Sequence, residues 1–132
     1  MSPDFIFVYG SLCKQAALGM HHLIAGHCEY FSDGFMRGKL YEVSGYPGAI
    51  ESGDVNDKVS GELYKMLDRK RLLARLDDYE ECSDRFQTPH EYSRKPLLIE
   101  LTGGGSVLAW VYLYNHDVSK LRQIITGNYL NV

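Results

Sequence analysis

The alternation of hydrophobic and polar positions predicts a protein built mainly of strands. A compact run of aromatic and β-branched residues from Asp4 to Tyr9 is typical of a buried central strand, because it does not alternate. Apolar and polar residues partly alternate from Phe35 to Val43, which predicts a strand with one solvated face. Further strands are predicted over Lys58 to Met66, Tyr92 to Leu101 and Val107 to Tyr114.

Helical spacing is found in three shorter segments. Asp68 is a predicted N-cap, and an apolar stripe follows it, made of Leu72, Leu73, Leu76 and Tyr79. Short helices are also predicted from Ala16 to Ala25 and from about Asp117 to Ile125. Turns are predicted at the glycine-rich segments 45–48 and 102–106, the second being a hairpin turn. The order of elements favours an α+β domain on a curled, largely antiparallel sheet or barrel.

Length and composition narrow the class of protein further. The 132 residues predict a single domain, 1–132, with a hydrophobic content of 45%, which is ample for a core. Fourteen basic and 17 acidic residues give a net charge of −3, which disfavours nucleic acid and anionic membranes as partners. The three cysteines form no CxxC pair, and no signal peptide or membrane span is found, so we expect a soluble cytoplasmic protein without a metal site.

Glu80, at the end of the helix that follows Asp68, is a candidate for chemistry. At about 100° per residue it falls within about 20° of Leu73, near the edge of the apolar stripe, whereas three neighbouring carboxylates fall further outside. A carboxylate aimed inward is costly unless it is paired or lies at a cavity. Two interpretations follow: a helix-terminal Glu that meets an arginine such as Arg85 or Arg94, or a general base whose pKa is raised by apolar surroundings.

The loop after the first strand is the second candidate. Tyr9-Gly10-Ser11-Leu12 ends a buried strand abruptly, and the backbone N–H groups of such a loop can bind an anion. A plain turn is the alternative interpretation.

Several short motifs, in this order, resemble the gamma-glutamylcyclotransferase-like family and its short members, which include gamma-glutamylamine cyclotransferase. The matching segments are Phe7-Val8-Tyr9-Gly10-Ser11-Leu12, Gly45-Tyr46-Pro47-Gly48, Gly61-Glu62-Leu63-Tyr64, Leu76-Asp77-Asp78-Tyr79-Glu80, Tyr92-Ser93-Arg94, Ala109-Trp110-Val111-Tyr112 and Gly127-Asn128-Tyr129. They cover nearly the whole chain. The resemblance implies a small mixed, largely antiparallel β-barrel with flanking helices.

The resemblance also implies an activity and its residues. Glu80 matches the catalytic glutamate, the segment Tyr9, Gly10, Ser11 and Leu12 matches the loop that holds the gamma-glutamyl group, and Tyr92 and Tyr112 match aromatic residues of the cavity. The reaction implied is cyclisation of a gamma-glutamyl amine or dipeptide to 5-oxoproline with release of the amine. It needs a small-molecule substrate and no cofactor.

Two departures from the family pattern keep an alternative open. The family often has Gly directly after the catalytic Glu, whereas this chain has Glu81, and the segment 82–91 is longer than in short relatives. The alternative is a non-catalytic small-molecule-binding or interaction module that retains the cavity.

Overall fold

Seven strands and one helix are formed within the residues that the computed structural model describes, which are 3–9, 28–43, 47–79 and 92–128, with only the backbone described for 76–79. In chain order they are β1 Phe5–Val8, β2 Cys28–Glu42, β3 Pro47–Glu51, β4 Lys58–Met66, α1 Arg69–Tyr79, β5 Tyr92–Leu101, β6 Ser106–Tyr114 and β7 Arg122–Gln123. The strands predicted for β4 and β5 have these bounds, and the strand predicted for β6 begins one residue later than the observed one.

Five of the strands close into a mixed barrel in the order β2-β4-β1-β6-β5, with β5 returning to β2. Closure occurs where Gly34 pairs with Leu101 and Phe35 with Glu100. A Cβ at Gly34 would lie 2.6 Å from the carbonyl oxygen of Glu100, so this crossing requires a glycine. The barrel predicted from the sequence and the resemblance is confirmed.

β1 is the central strand of the described sheet, as its apolar run predicted. It pairs antiparallel with β4 on one side and parallel with β6 on the other. All the other pairings among the described strands are antiparallel.

β2 is longer than predicted, since it begins at Cys28 rather than at Phe35. The pairing register with β4 shifts between Tyr30 and Ser32, and this irregularity leaves Phe31 about half-exposed. A bulge of this kind interrupts the two-residue period, so the alternation is lost there. The far end of β2 pairs with β3 and β7, which lie outside the closed barrel.

Two apolar clusters lie on opposite faces of the barrel wall, because successive side chains of a strand point to opposite faces. The inner core fills the barrel and consists of Phe7, Tyr9, Met36, Leu40, Ala49, Val59, Leu63, Ile99, Ala109, Val111, Leu113 and Ile124. The outer cluster covers the other face and consists of Ile6, Val8, Cys28, Tyr64, Met66, Leu72, Leu73, Tyr92 and Tyr112, with Trp110 and Tyr114 packed against it.

α1 belongs to the outer face. The Asp68 carboxylate accepts the Arg71 N–H at 3.4 Å, as expected of the predicted N-cap. Leu72 and Leu73 are buried in the outer cluster, which confirms that part of the predicted stripe. The predicted helix from Ala16 to Ala25 lies outside the described residues.

The helix predicted from Asp117 to Ile125 is wrong, since this segment contains turns and the two-residue strand β7. The Asp117 carboxylate accepts hydrogen bonds from the Ser119 N–H at 3.0 Å and from its hydroxyl at 2.8 Å, and these bonds favour a turn over a helix. Further on, the Ile124 N–H donates to the Leu40 carbonyl at 2.7 Å. Pairing with β2 therefore outweighs the local helical pattern.

Glycines fix two of the connections. Gly104 and Gly105 have φ values of 103° and 84° in the β5–β6 turn, which is the predicted hairpin. Gly127 has a φ of 69°, and a Cβ there would lie 1.8 Å from the Lys58 carbonyl oxygen. Its own carbonyl accepts the Ser60 N–H at 2.8 Å, so the segment around Gly127 is hydrogen-bonded to β4.

Candidate functional site

The candidate site lies on the outer face, at the end of β1 where the chain enters residues 9–12. Ile6 of β1 is level with Trp110 of β6, and because the two strands are parallel Val8 comes beside Tyr112 two residues later. Val8, Trp110 and Tyr112 all belong to, or pack against, the outer cluster. The motif that ends the first strand and the motif of the sixth strand therefore meet on one face.

Two charged residues lie beside Val8 and Tyr112, one on each side of this strand pair. Glu62 of β4 pairs with Val8, and Arg94 of β5 pairs with Tyr112. Residues directly opposite each other across two strands share a face, so both side chains start from the outer face. A carboxylate on β4, next to β1, and a guanidinium on β5, on the far side of β6, thus lie level with the end of β1.

Tyr9, a predicted substrate-binding residue, bridges two strands through its hydroxyl. The ring is part of the inner core. Its hydroxyl donates a short hydrogen bond to the Tyr112 carbonyl and accepts the Ala49 N–H at 3.2 Å. Tyr9 therefore connects β6 with β3 immediately before the Gly10-Ser11 segment, which suits it to position that segment.

Tyr92 and Tyr112, the other two predicted aromatic residues, are buried in the outer cluster. The Tyr92 hydroxyl donates to the Pro47 carbonyl at 2.5 Å, and its ring meets Tyr114 edge-on at 5.6 Å. A Cβ at Gly48 would lie 2.9 Å from the Tyr114 ring, so the absence of a side chain at Gly48 allows the ring to pack against the β3 backbone. The structure thus brings Tyr92 and Tyr112 together in the outer cluster, whereas the Tyr9 ring lies on the inner face and its hydroxyl reaches only the backbone carbonyl of Tyr112.

Four predicted site residues lie outside the described residues, namely Glu80, Gly10, Ser11 and Leu12. The roles of these four, and of the three tyrosines as substrate contacts, stay predictions.

Sequence reasoning missed a polar group beside the end of β1. The Tyr64 hydroxyl donates to the Glu62 carboxylate at 2.9 Å, and Asp33 lies opposite Glu62 on β2. The Tyr30 hydroxyl donates to Asp33 at 2.8 Å, and this hydrogen bond is the main reason that the pKa of Tyr30 is raised. The spacing of Glu62 and Tyr64, two residues apart on a predicted strand, could have indicated a shared face.

Arg94 and Trp110 form the second missed group. The Arg94 guanidinium lies over the indole ring, 4.4 Å from its centroid, in a cation–π contact. The indole Nε1 is buried and makes no hydrogen bond within the described part of the chain. A buried donor without an acceptor costs ~1–3 kcal/mol, so this position is electrostatically unsatisfied.

A groove of about 570 Å³ lies elsewhere, between β5 and the junction of β2 with β3. Two ion pairs link the strands that border it, Arg37 with Glu100 at 3.0 Å and Lys95 with Glu51 at 2.6 Å. None of the predicted site residues lines this groove, which is formed by Met36, Arg37, Glu51, Ser52, Leu97, Leu98, Glu100, Gly105 and Ser106.

The described residues contain neither a cluster of metal ligands nor a helix that could cross a membrane. No three or more His, Cys, Asp or Glu side chains in ranges 3–9, 28–43, 47–79 and 92–128 are grouped so that they could hold a metal ion. In the same part of the chain, α1 is too short and too polar to span a bilayer.

Comparison with known proteins identifies the family. Residues 6–131 match the family described as gamma-glutamyl cyclotransferase, AIG2-like. The chain is 34% identical to the gamma-glutamylcyclotransferase family protein YtfP of Citrobacter rodentium over 131 residues, covering 96% of this chain and 95% of that protein. The chain therefore belongs to the gamma-glutamyl cyclotransferase, AIG2-like family, as the sequence motifs predicted.

Solved structures agree in fold. The solution structure of YtfP from Escherichia coli is 30% identical, with a TM-score of 0.65 and coverage of 96% of each chain. An AIG2-like protein from Mus musculus has a TM-score of 0.75 at 23% identity, covering 98% of this chain and 89% of the mouse chain. The second likeness, at that identity, concerns the fold alone.

Proposed function

We propose that this protein cyclises a gamma-glutamyl amine or dipeptide to 5-oxoproline and releases the amine, with Glu80 as general acid and base. The observation that carries the proposal is the family match over residues 6–131. The described tyrosines support it, because Tyr92 and Tyr112 lie together in the outer cluster and the Tyr9 hydroxyl bonds the Tyr112 carbonyl immediately before the Gly10-Ser11 segment.

The proposed reaction is intramolecular. The α-amine of the substrate attacks its own side-chain carbonyl carbon, so one C–N bond forms as the ring closes and the original amide C–N bond breaks. A proton leaves the attacking nitrogen and one reaches the departing nitrogen. Because nucleophile and electrophile are tethered, effective molarities of ~10⁵–10⁸ M are available once the substrate is bent into shape. No net oxidation or hydrolysis takes place.

The protein then has three tasks, each of which falls to residues already named. Glu80 would carry the proton from the attacking to the departing nitrogen, help that is typically worth ~10²–10⁴-fold. Backbone N–H groups of the Gly10-Ser11-Leu12 segment would stabilise the developing oxyanion or hold the substrate carboxylate. Tyr9, which ties β6 to β3, would hold that segment at the mouth of the site, while Tyr92 and Tyr112 would line it.

The test is a panel of gamma-glutamyl amides and dipeptides assayed for 5-oxoproline. We expect turnover by the unaltered protein and a loss of kcat of ~10²–10⁴-fold in Glu80→Gln. Glu81→Gln is the matched control, since it removes the neighbouring carboxylate and should leave kcat within about twofold of the unaltered value, whereas Glu80→Gln should not.

Two outcomes would contradict the proposal. Full activity in Glu80→Gln would remove that residue from the acid–base role. Binding of the panel without any 5-oxoproline would favour the non-catalytic binding module instead.

A further inference from the structure

We infer that the groove between β3 and β5 binds a short extended segment of a partner protein, which adds to the free edge of β5 as an extra strand. None of the residues that line this groove belongs to the candidate site, so the binding is independent of the proposed reaction.

β5 and β3 leave the same edge of β2 as the two arms of a fork. The Thr102 N–H, directly after β5, donates to the Asp33 carbonyl of β2 at 3.1 Å. The Ser52 N–H, directly after β3, donates to the Arg37 carbonyl of β2, also at 3.1 Å. Because every second residue of a strand bonds toward the same side, both bonds are made by one edge of β2. The groove of about 570 Å³ lies between the two arms.

The edge of β5 that faces this gap has no partner strand in the part of the chain that the structure describes. Its pairing with β2 ends at Glu100, and its pairing with β6 uses the other edge. Since the Thr102 N–H points toward β2, alternation directs both backbone groups of Leu98 and the carbonyl of Pro96 into the gap. Proline has no N–H to leave unpaired and is typical of a strand edge. β5 therefore offers one donor and two acceptors.

On the β3 arm, most of the edge is already used. The Ala49 N–H donates to the Tyr9 hydroxyl at 3.2 Å, and the Pro47 carbonyl accepts the Tyr92 hydroxyl at 2.5 Å. Glu51, two residues after Ala49, directs its backbone groups the same way and has no strand partner on this side among the described strands. An added segment would therefore bond mainly along β5.

The gap is wider than the spacing of paired strands, and it has a floor. Paired strands lie ~4.8 Å apart, whereas here two long side chains bridge the arms, with the Lys95 ammonium 2.6 Å from the Glu51 carboxylate. Both side chains start from the inner face, as do those of Met36 and Leu97, which also line the groove. The floor is thus partly apolar, and it complements an aliphatic side chain of an added strand.

The edge of β5 selects a short segment rather than the sheet of a second copy. Sheets that join edge to edge need a long row of donors and acceptors, and Pro96 interrupts the donors of this row. The two residues of β7 show that a very short strand is sufficient to pair with β2 in this fold. Strand addition of this kind is a common way to bind an extended peptide.

Charge selects among such peptides. Two ion pairs neutralise the charged side chains that border the groove. The net charge of −3 on the whole chain then acts at longer range and favours a segment with basic residues beside its aliphatic ones.

Hydrogen exchange of the free protein tests the edge itself. The Leu98 N–H should exchange at least about tenfold faster than the Ile99 N–H. Ile99 is the matched control, because alternation from the Leu101 N–H, which donates to the Gly105 carbonyl, directs the Ile99 N–H to β6. Equal exchange of the two amides overturns the inference. So does slower exchange at Leu98 as the protein concentration rises, since a second copy would then cover the edge.

The binding probe is a fluorescein-labelled peptide of sequence Lys-Val-Thr-Val-Thr-Val-Lys, followed by fluorescence anisotropy. We expect saturable binding that slows exchange of the Leu98 N–H. The same peptide with its backbone nitrogens methylated keeps its side chains and charge but cannot donate, so it should bind at least about tenfold more weakly. Equal binding of the two peptides, or no binding of either up to about 1 mM, overturns the inference.

Two variants at one position separate the backbone donor from the side chain. Leu98→Pro removes an N–H that makes no bond to β6, so the circular dichroism spectrum should be unchanged while the peptide Kd rises about tenfold. Leu98→Ala keeps the N–H and should bind the peptide within about threefold of the unaltered protein. Unchanged affinity in a folded Leu98→Pro overturns the inference, and the methylated peptide gives the decision if that variant does not fold.

Discussion

The inner core and the outer cluster lie on opposite faces of the same strands, yet they are built from different residue types. Aliphatic side chains dominate the inner core, and the Tyr9 hydroxyl is its one side-chain hydrogen-bonding group among the described residues. The outer cluster holds a thiol and several tyrosines, and it borders Arg94 and Trp110. The difference shows where each face is constrained: the inside by volume, the outside by hydrogen bonding and charge.

This comparison predicts that the largest losses of stability come from shortening inner side chains. Leu63 is fully buried in the inner core, so Leu63→Ala should lower the free energy of unfolding by ~2–5 kcal/mol. Leu98→Ala is the matched control, because that leucine is 65% exposed on the outer face of β5 and its loss should cost less than ~0.5 kcal/mol. Urea unfolding followed by circular dichroism measures the free energy of unfolding of both variants. Equal losses would contradict the claim that packing volume constrains the inner core more than the outer face.

The fold could be predicted from the sequence wherever one strand face is regularly buried. β4 and β5 show this, since their sequence pattern and turn residues agree with their tertiary pairing, while β1 was predicted from an uninterrupted apolar run and is buried on both faces. The failures occur where long-range pairing decides the conformation. The start of β2 loses its period at the irregularity near Phe31, and β7 forms because β2 offers an edge, which no local pattern around Asp117 reveals.

Tyr9→Phe is predicted to give a smaller loss of unfolding free energy than Leu63→Ala. It concerns a residue whose ring lies in the inner core and whose hydroxyl bonds the backbone of β3 and β6. The substitution keeps the inner ring but removes the acceptor of the buried Ala49 N–H, so we expect a loss of ~1–3 kcal/mol in unfolding free energy. Tyr41→Phe is the control, because the Tyr41 hydroxyl has no hydrogen bond within the described residues and its removal should cost less than ~0.5 kcal/mol.

If Tyr9 also positions the segment that follows it, Tyr9→Phe should reduce kcat for gamma-glutamyl substrates in addition to stability, measured well below the unfolding temperature. A stability loss with unchanged kcat and KM would limit Tyr9 to a structural role.

The candidate site was less predictable than the fold. The residues of the tyrosine motifs were found because of the family resemblance, but their hydrogen-bond partners lie far away along the chain, 45 positions between Tyr92 and Pro47 and 103 between Tyr9 and Tyr112. Arg94 and Trp110 belong to two different strands and become neighbours only through the register of the β5–β6 hairpin. Spacing along the chain cannot show such pairs.

The smallest predicted effect is the contribution of one outer-cluster residue, Cys28, to the dependence of stability on alkaline pH. Burial raises the pKa of the Cys28 thiol from 9.0 to about 12. The thiol therefore contributes stability that is fully present below about pH 9 and is lost as pH rises toward 12, because the unfolded chain gives up its proton first. Between pH 8 and 10 the unaltered protein should lose about 1 kcal/mol more than Cys28→Ala.

Val59→Ala provides the inner counterpart to that substitution, since Val59 is fully buried and does not titrate. It should lower stability by a similar amount at every pH, because removing methyl groups changes packing and no proton equilibrium. Urea unfolding under reducing conditions at pH 8, 9 and 10 measures all three proteins, each of which keeps the remaining cysteines. Parallel pH profiles for the unaltered protein and Cys28→Ala would show that the thiol titrates alike in the folded and unfolded chains and would contradict the prediction.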